Sequence, residues 1–388
     1  MTSALPNASS APAQSKVVDQ YTGEVVYLYA FDVAYEMARK PVDTLLGQPV
    51  AEFMVGASKR GPKQLLFYRP VMVRLPPTER LGPRGPVRIE RAVKLLPVGA
   101  VSITVRVPFQ CRSLDELVEF HDLRFSSGSY LYDEVRDLAE EVRKELAPHL
   151  VRPMDQLADE EAYTVFCLHG PLKDSAGQPV ASEDWLLHHR RQVASLLIEE
   201  SDPAQISEQE AMESSSRYYS YYDRDLAVID WDAALVVDEP AYLDETLYVM
   251  ELANVQLAEL EAYDRILDAQ VERSYRDVNV RRLRGRQGVA LQRQLREIRI
   301  DLARMSDELS NITKFFGDWH LARIYQGLSA RFHLPEWHRT IDEKLKTLDD
   351  LYHLMQTEQS TRWMLTLEMA MAVLFLIDVL LLVLSLKH

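Results

Sequence analysis

Cysteine is nearly absent: the 388 residues contain 2, Cys111 and Cys167, far apart in the chain. Two lone thiols exclude a disulfide framework and fit a reducing compartment. No Cys-x-x-Cys or His-x-x-x-His pair stands at ligand spacing, which argues against a structural zinc site. Nucleotide and nucleophile motifs are missing too. There is no Gly-x-x-x-x-Gly-Lys-Ser/Thr phosphate loop, no Gly-x-Gly-x-x-Gly after a strand and no Gly-x-Ser-x-Gly elbow. The sequence therefore points to no cofactor. Positive charge is also in deficit, with a formal net charge of −15 and a pI near 5.2. That balance opposes nucleic acid, or an anionic lipid surface, as the main partner. A hydrophobic fraction of 47% is ordinary for a globular chain and far too low for a multi-span transporter.

Residues 1–16 are rich in Ala, Ser and Pro, with neither an apolar h-region nor an arginine. They read as a disordered tail and not as a secretory or mitochondrial leader. From 17 to 239 short β-branched and aromatic runs alternate with helical ones, which predicts an α+β domain. Strands are expected at 25–31, 65–73, 87–96, 98–107 and 163–168, and helices at 131–150 and 183–200. The run Tyr218-Tyr219-Ser220-Tyr221-Tyr222 leads into a further strand or hairpin at 226–231, and 76–86 reads as a loop between strands.

Candidate chemistry in this half is sparse. Cys167 and His169 lie two apart on a strand and share a face, as a thiol–imidazole nucleophile requires. No third residue marks an orienting partner, so a buried structural Cys is the weightier reading. His188 and His189 occupy adjacent helical positions, which diverge and chelate poorly. Asp223, Asp225, Asp230 and Asp232 flank a strand, where Asp more often makes turns than binds a metal.

The second half is helical. Leu291, Leu295, Ile298, Leu302, Met305, Leu309, Ile312 and Phe316 recur at spacings of four and three, a heptad seam. Ile341, Leu345, Leu348, Tyr352 and Met355 repeat the pattern beyond the breaker Phe332-His333-Leu334-Pro335. An earlier run carries Leu243, Leu247, Met250, Leu257, Leu260 and Leu267, and the Arg-Gly cluster at 281–288 separates it from the seam. Residues 240–362 are thus expected to form a long antiparallel helical bundle or coiled-coil stalk. The pattern leaves open whether the seam closes within one chain or between copies.

The apolar run 364–386 then predicts a transmembrane anchor over 363–388, long enough for a hydrocarbon core of roughly 30 Å. Arg339, Lys344, Lys346 and Arg362 precede it, which places the N-terminal domain in the cytoplasm. Glu368 and Asp378 interrupt the run and read as polar contacts between helices of an oligomer.

Three short motifs carry a resemblance: Val228-Ile229-Asp230-Trp231, Leu334-Pro335-Glu336-Trp337 and Arg362-Trp363. Through them the last 160 or so residues (a rough count) resemble the "required for meiotic nuclear division" family of membrane-anchored proteins. In that family an acid stands in the step where this chain has Thr361-Arg362-Trp363. The resemblance implies an α+β domain, a helical bundle, a C-terminal membrane helix and a non-enzymatic, oligomeric organiser, and it assigns no catalytic residue. The expectation is therefore a membrane-anchored scaffold, not an enzyme. It would sit in the lipid bilayer as a homo-oligomer and recruit an unknown protein partner through its α+β domain. The alternatives are a subunit of an ion transport or channel assembly with a CorA-like topology, and a membrane-tethered enzyme.

Overall fold

The computed structural model describes residues 21–38, 40–53, 70–154, 157, 160–173, 177–280, 293, 296, 300 and 319–385. Period-two runs of apolar residues set the strands of the first half. They are β1 (Tyr21–Asp32), β2 (Ala34–Met37), β3 (Thr44–Leu45), β4 (Gln48–Pro49), β5 (Ala51–Glu52), β6 (Val71–Arg74), β7 (Thr78–Gly82), β8 (Gly85–Leu95) and β9 (Ala100–Cys111). There follow α1 (Leu131–Leu146), β10 (Leu150–Pro153), β11 (Glu161–His169), α2 (Ser182–Leu197), α3 (Glu208–Ser214), β12 (Tyr218–Tyr219), β13 (Leu226–Ile229) and β14 (Ala233–Asp238). Three helices close the described chain: α4 (Pro240–Val280), α5 (Trp319–Arg331) and α6 (Leu334–Ser385).

Among the described residues the main sheet has ten strands, in the order β12-β13-β14-β11-β1-β9-β8-β6-β5, with β7 paired to β8. The β11–β14 pair is parallel and the others antiparallel, so the sheet is mixed. Central β1 is buried on both faces. Val25, Tyr27, Tyr29 and Phe31 join a core roofed by α1 and α2. Val26 and Leu28 face the other way, into a core shared with α4, α5 and α6. A strand covered on both sides must be apolar at nearly every position, and β1 is from Val25 to Phe31. The expected loop at 76–86 is instead the β7–β8 hairpin, with Gly85 at φ +129° in its turn.

The stalk is corrected. The run Leu243, Leu247, Met250, Leu260 and Leu267 does form a helix, but that helix lies against the sheet. Every residue from Glu245 to Gln256 on α4 is buried. It is the central helix of the second layer, covered by the sheet on one side and by α5 and α6 on the other. A solvent-surrounded stalk would leave one face wet, whereas here polar residues of α4 find partners in the sheet. Asn254, for example, donates to the carbonyls of Leu28 (3.1 Å) and Glu161 (2.9 Å). Among the described residues there is no long coiled-coil stalk. The eight seam residues from Leu291 to Phe316 lie outside the described residues, as does the Arg-Gly cluster.

The break between α5 and α6 falls where proline demanded it. His333 takes φ +52° and Leu334 opens α6 with Pro335 in its first turn, where a missing N–H costs nothing.

The membrane anchor, its single-pass topology and the cytoplasmic placement derived from it are corrected as well. Among the described residues no helix is long and apolar enough to cross a membrane. Within α6, Glu368 stands exposed among the apolar side chains that follow Met364.

Farther along α4, acids of the sheet meet Glu261 and Arg265 of the helix. Glu161 of β11 hydrogen-bonds Glu261 of α4, with Asp232 and Arg265 close by, and Asp32 at the end of β1 also senses Arg265. Burial, then the Glu261 carboxyl, pushes Glu161 up to about 8; burial pushes Asp32 up to about 7. Both groups hold their protons more tightly folded than unfolded. Their contribution to stability is full below about pH 4.5 and is lost as pH rises through 7 and 8. Glu161→Gln is expected to flatten this decline, gaining about 1–2 kcal/mol over the native chain at pH 8.5 and nothing at pH 4.5. Urea unfolding of the two proteins across that range measures it, and parallel pH profiles would contradict the raised Glu161 carboxyl.

Candidate functional site

Strand alternation sends Ile89, Val93 and Leu95 of β8 into the first core and Arg88, Glu90, Ala92 and Lys94 toward α4. The register sets Glu90 opposite Arg106, Ala92 opposite Thr104 and Lys94 opposite Ser102 on β9, with Arg74 of β6 opposite Ala92. Over them α4 lays Asp244, Leu247, Tyr248 and Glu251, residues one and two turns apart on one helical face. The small side chains of Ala92 and Thr104 leave a gap between the layers. It is a cleft of about 370 Å³, completed by the apolar groups of Leu28, Phe53, Met72, Leu75 and Pro77.

Its charged groups are mostly committed. At the buried end Lys94 pairs with Glu251, the two side chains 9% and 4% exposed. Ser102 donates to the same carboxylate at 2.5 Å and Thr104 at 3.4 Å. The Lys94 ammonium also lies 4.4 Å from the Phe53 ring centroid, a cation–π contact. Arg106 bridges Glu24 (3.2 Å) and Asp244. Desolvation raises the Glu24 carboxyl, and Arg106 opposes that rise. Arg88 pairs with Glu90 at 2.7 Å on the open rim. Arg91 lines the cleft too, but alternation turns its side chain to the other face, where it donates to Thr78 at 3.5 Å. Arg74 is different. It is exposed, and it makes no ion pair or hydrogen bond among the described residues. With Arg88 on Glu90, Lys94 on Glu251 and Arg106 on both Asp244 and Glu24, Arg74 is left as the cation turned to the cleft without a partner among the described residues.

The residues singled out in the sequence are not brought together here. Glu368 is exposed on α6; Asp378 lies on its helical backbone, with a side chain outside those described. Cys167 does share a face with its neighbours under α4, but it is fully buried and burial pushes its thiol well up. A thiol so placed holds its proton and is a poor nucleophile. The ring of His188 bonds the carbonyl of Asp184 (2.6 Å) and that of His189 the carbonyl of Trp185 (2.8 Å), each tied back to its own helix. Asp225 caps the backbone N–H groups of Tyr221 and Tyr222, and Asp230 pairs with Arg331. Among the described residues no group of three or more acids, histidines or cysteines could hold a metal ion. The cleft itself escaped the sequence reading. Its signal was the alternation of Arg88, Glu90 and Lys94 with apolar residues, which by itself marks a solvated strand face.

No solved structure matches the chain. A protein of Methanocaldococcus jannaschii, "Uncharacterized protein MJ0711", is 22% identical over 221 residues, which take in 57% of this chain. The match spans 65% of that relative's own length, just under two thirds. Neither it nor the family match bears on the meiotic-division resemblance. The family match covers residues 22–243, which includes the β6, β8 and β9 wall of the cleft and stops just short of Asp244 on α4. By that match the chain belongs to the family described as "Uncharacterized protein MJ0711, N-terminal domain".

Proposed function

We propose that this protein is a non-enzymatic binding module that recruits its partner through the cleft between α4 and the sheet. One observation carries the reading: among the described residues Arg74 reaches the cleft with its charge unpaired, while Arg88, Lys94 and Arg106 beside it each hold a carboxylate. A guanidinium left uncommitted at the mouth of a part-apolar gap is suited to hold a ligand group. The cleft volume falls at the lower end of the range of small-molecule sites. The paired charges around it fix the walls in place, so little ordering remains for the ligand to impose.

Ala92→Trp tests it by filling the floor of the cleft with an indole from an open position on β8. Ligand-observed NMR with a mixed fragment set should find fragments that bind the native chain and are lost in this variant. Far-ultraviolet circular dichroism checks that the variant is folded. If fragments bind both proteins alike, or neither, the cleft is not a binding site.

A further inference from the structure

We infer that the group this cleft accepts is the carboxylate of an apolar monoanion, with the carboxylate on Arg74 and the apolar body between Met72, Leu247 and Tyr248. The inference rests on the cleft being a binding site, and it adds the chemical class of what binds.

Charge selects a monoanion. Of the cations turned to the cleft, Arg74 alone has no carboxylate partner among the described residues. A single carboxylate supplies that partner. A phosphate monoester, with a charge near −2 at neutral pH, would leave a surplus negative charge facing Glu90, Asp244 and Glu251. A cation would meet Arg74 and Arg88 and find every acid on the walls already paired.

Shape selects a carboxylate attached to an apolar body. The guanidinium fork is planar and matches the two oxygens of a carboxylate with two parallel N–H···O bonds. Arg74 stands opposite Ala92, two residues along β6 from Met72, so the apolar floor begins next to the charge. Across the gap Leu247 and Tyr248 supply the other apolar wall. The Lys94–Glu251 pair blocks the inner end, and Ser102 and Thr104 also donate to its carboxylate. A ligand thus enters with its apolar end inward and its charge at the exposed rim, where desolvation costs least.

Isothermal titration of the full chain with three ligands that share a phenethyl body tests this. They are hydrocinnamate, its neutral amide and phenethyl phosphate, measured in low salt. Hydrocinnamate is expected to bind about tenfold or more tighter than the amide, since a charge-assisted bidentate bond separates them. Arg74→Ala should remove that difference and leave the weak binding of the amide unchanged. Arg74→Lys, which keeps the charge without the fork, should retain only part of it. Two results overturn the carboxylate class while the cleft stands as a site: phenethyl phosphate binding tightest, or equal binding of acid and amide, with either lost in Ala92→Trp. An advantage for hydrocinnamate that survives Arg74→Ala overturns the role of Arg74. If none of the three binds the native chain, the carboxylate class falls, and the fragment comparison with Ala92→Trp decides separately whether the cleft binds anything.

Discussion

Glu251→Leu is expected to destabilise the protein by about 3–5 kcal/mol, because it strands the Lys94 ammonium in a buried site. Both side chains of this pair are nearly excluded from water, and both come from segments far apart in the chain. Removing one partner leaves an uncompensated charge under α4, where Phe53 and Tyr248 offer only their ring faces. Lys94→Met alone should cost a similar amount by leaving the carboxylate with its two hydroxyl donors, Ser102 and Thr104. The double variant should recover most of the loss, since two apolar groups of similar size replace two charges. Recovery stays incomplete because the Ser102 hydroxyl loses its acceptor. A double-mutant cycle by urea unfolding measures the coupling. Losses that simply add in the double variant would contradict a mutually dependent buried pair.

Met250→Ala should cost about 2–5 kcal/mol, the range for truncating a fully buried large side chain. Met250 is 0% exposed and sits in the core that α4 shares with Val26, Val165 and Cys167 of the sheet and with Ile324 and Ile341 of the flanking helices. A helix of a separate stalk would lose its own order and leave the sheet intact. Here the cavity opens inside the common core, so helix and sheet are expected to lose the same free energy in one transition.

What could be read in the sequence was local. β8 and β9 showed themselves by their β-branched runs, and the α5–α6 break by Pro335, because each depends on residues a few positions apart. The helix α4 was legible from the spacing of Leu243, Leu247 and Met250. Its place in the fold was not. Glu245, Glu251, Asn254 and Gln256 punctuate that run, yet all four are buried. Their burial is tolerated because of distant partners: Lys94 and Ser102 for Glu251, two strand carbonyls for Asn254, and Tyr325 for Gln256. Periodicity identifies an apolar stripe but not the surface that covers it, so a core helix and a stalk helix share one pattern. The cleft was hidden for a related reason. Arg74, Lys94 and Arg106 lie on three strands, and only the register and the crossing of α4 bring them to one place.

The central claim is that α4 belongs to the same cooperative unit as the sheet and forms one wall of the cleft. Native-state hydrogen exchange tests it most directly, by comparing amides of α4 between 245 and 260 with those of β1, β9 and β11. The account requires both sets to exchange through the same global opening, with equal free energies and equal reductions in Met250→Ala. Exchange of α4 through a separate opening several kcal/mol below that of the sheet, with β1 still protected, would contradict it.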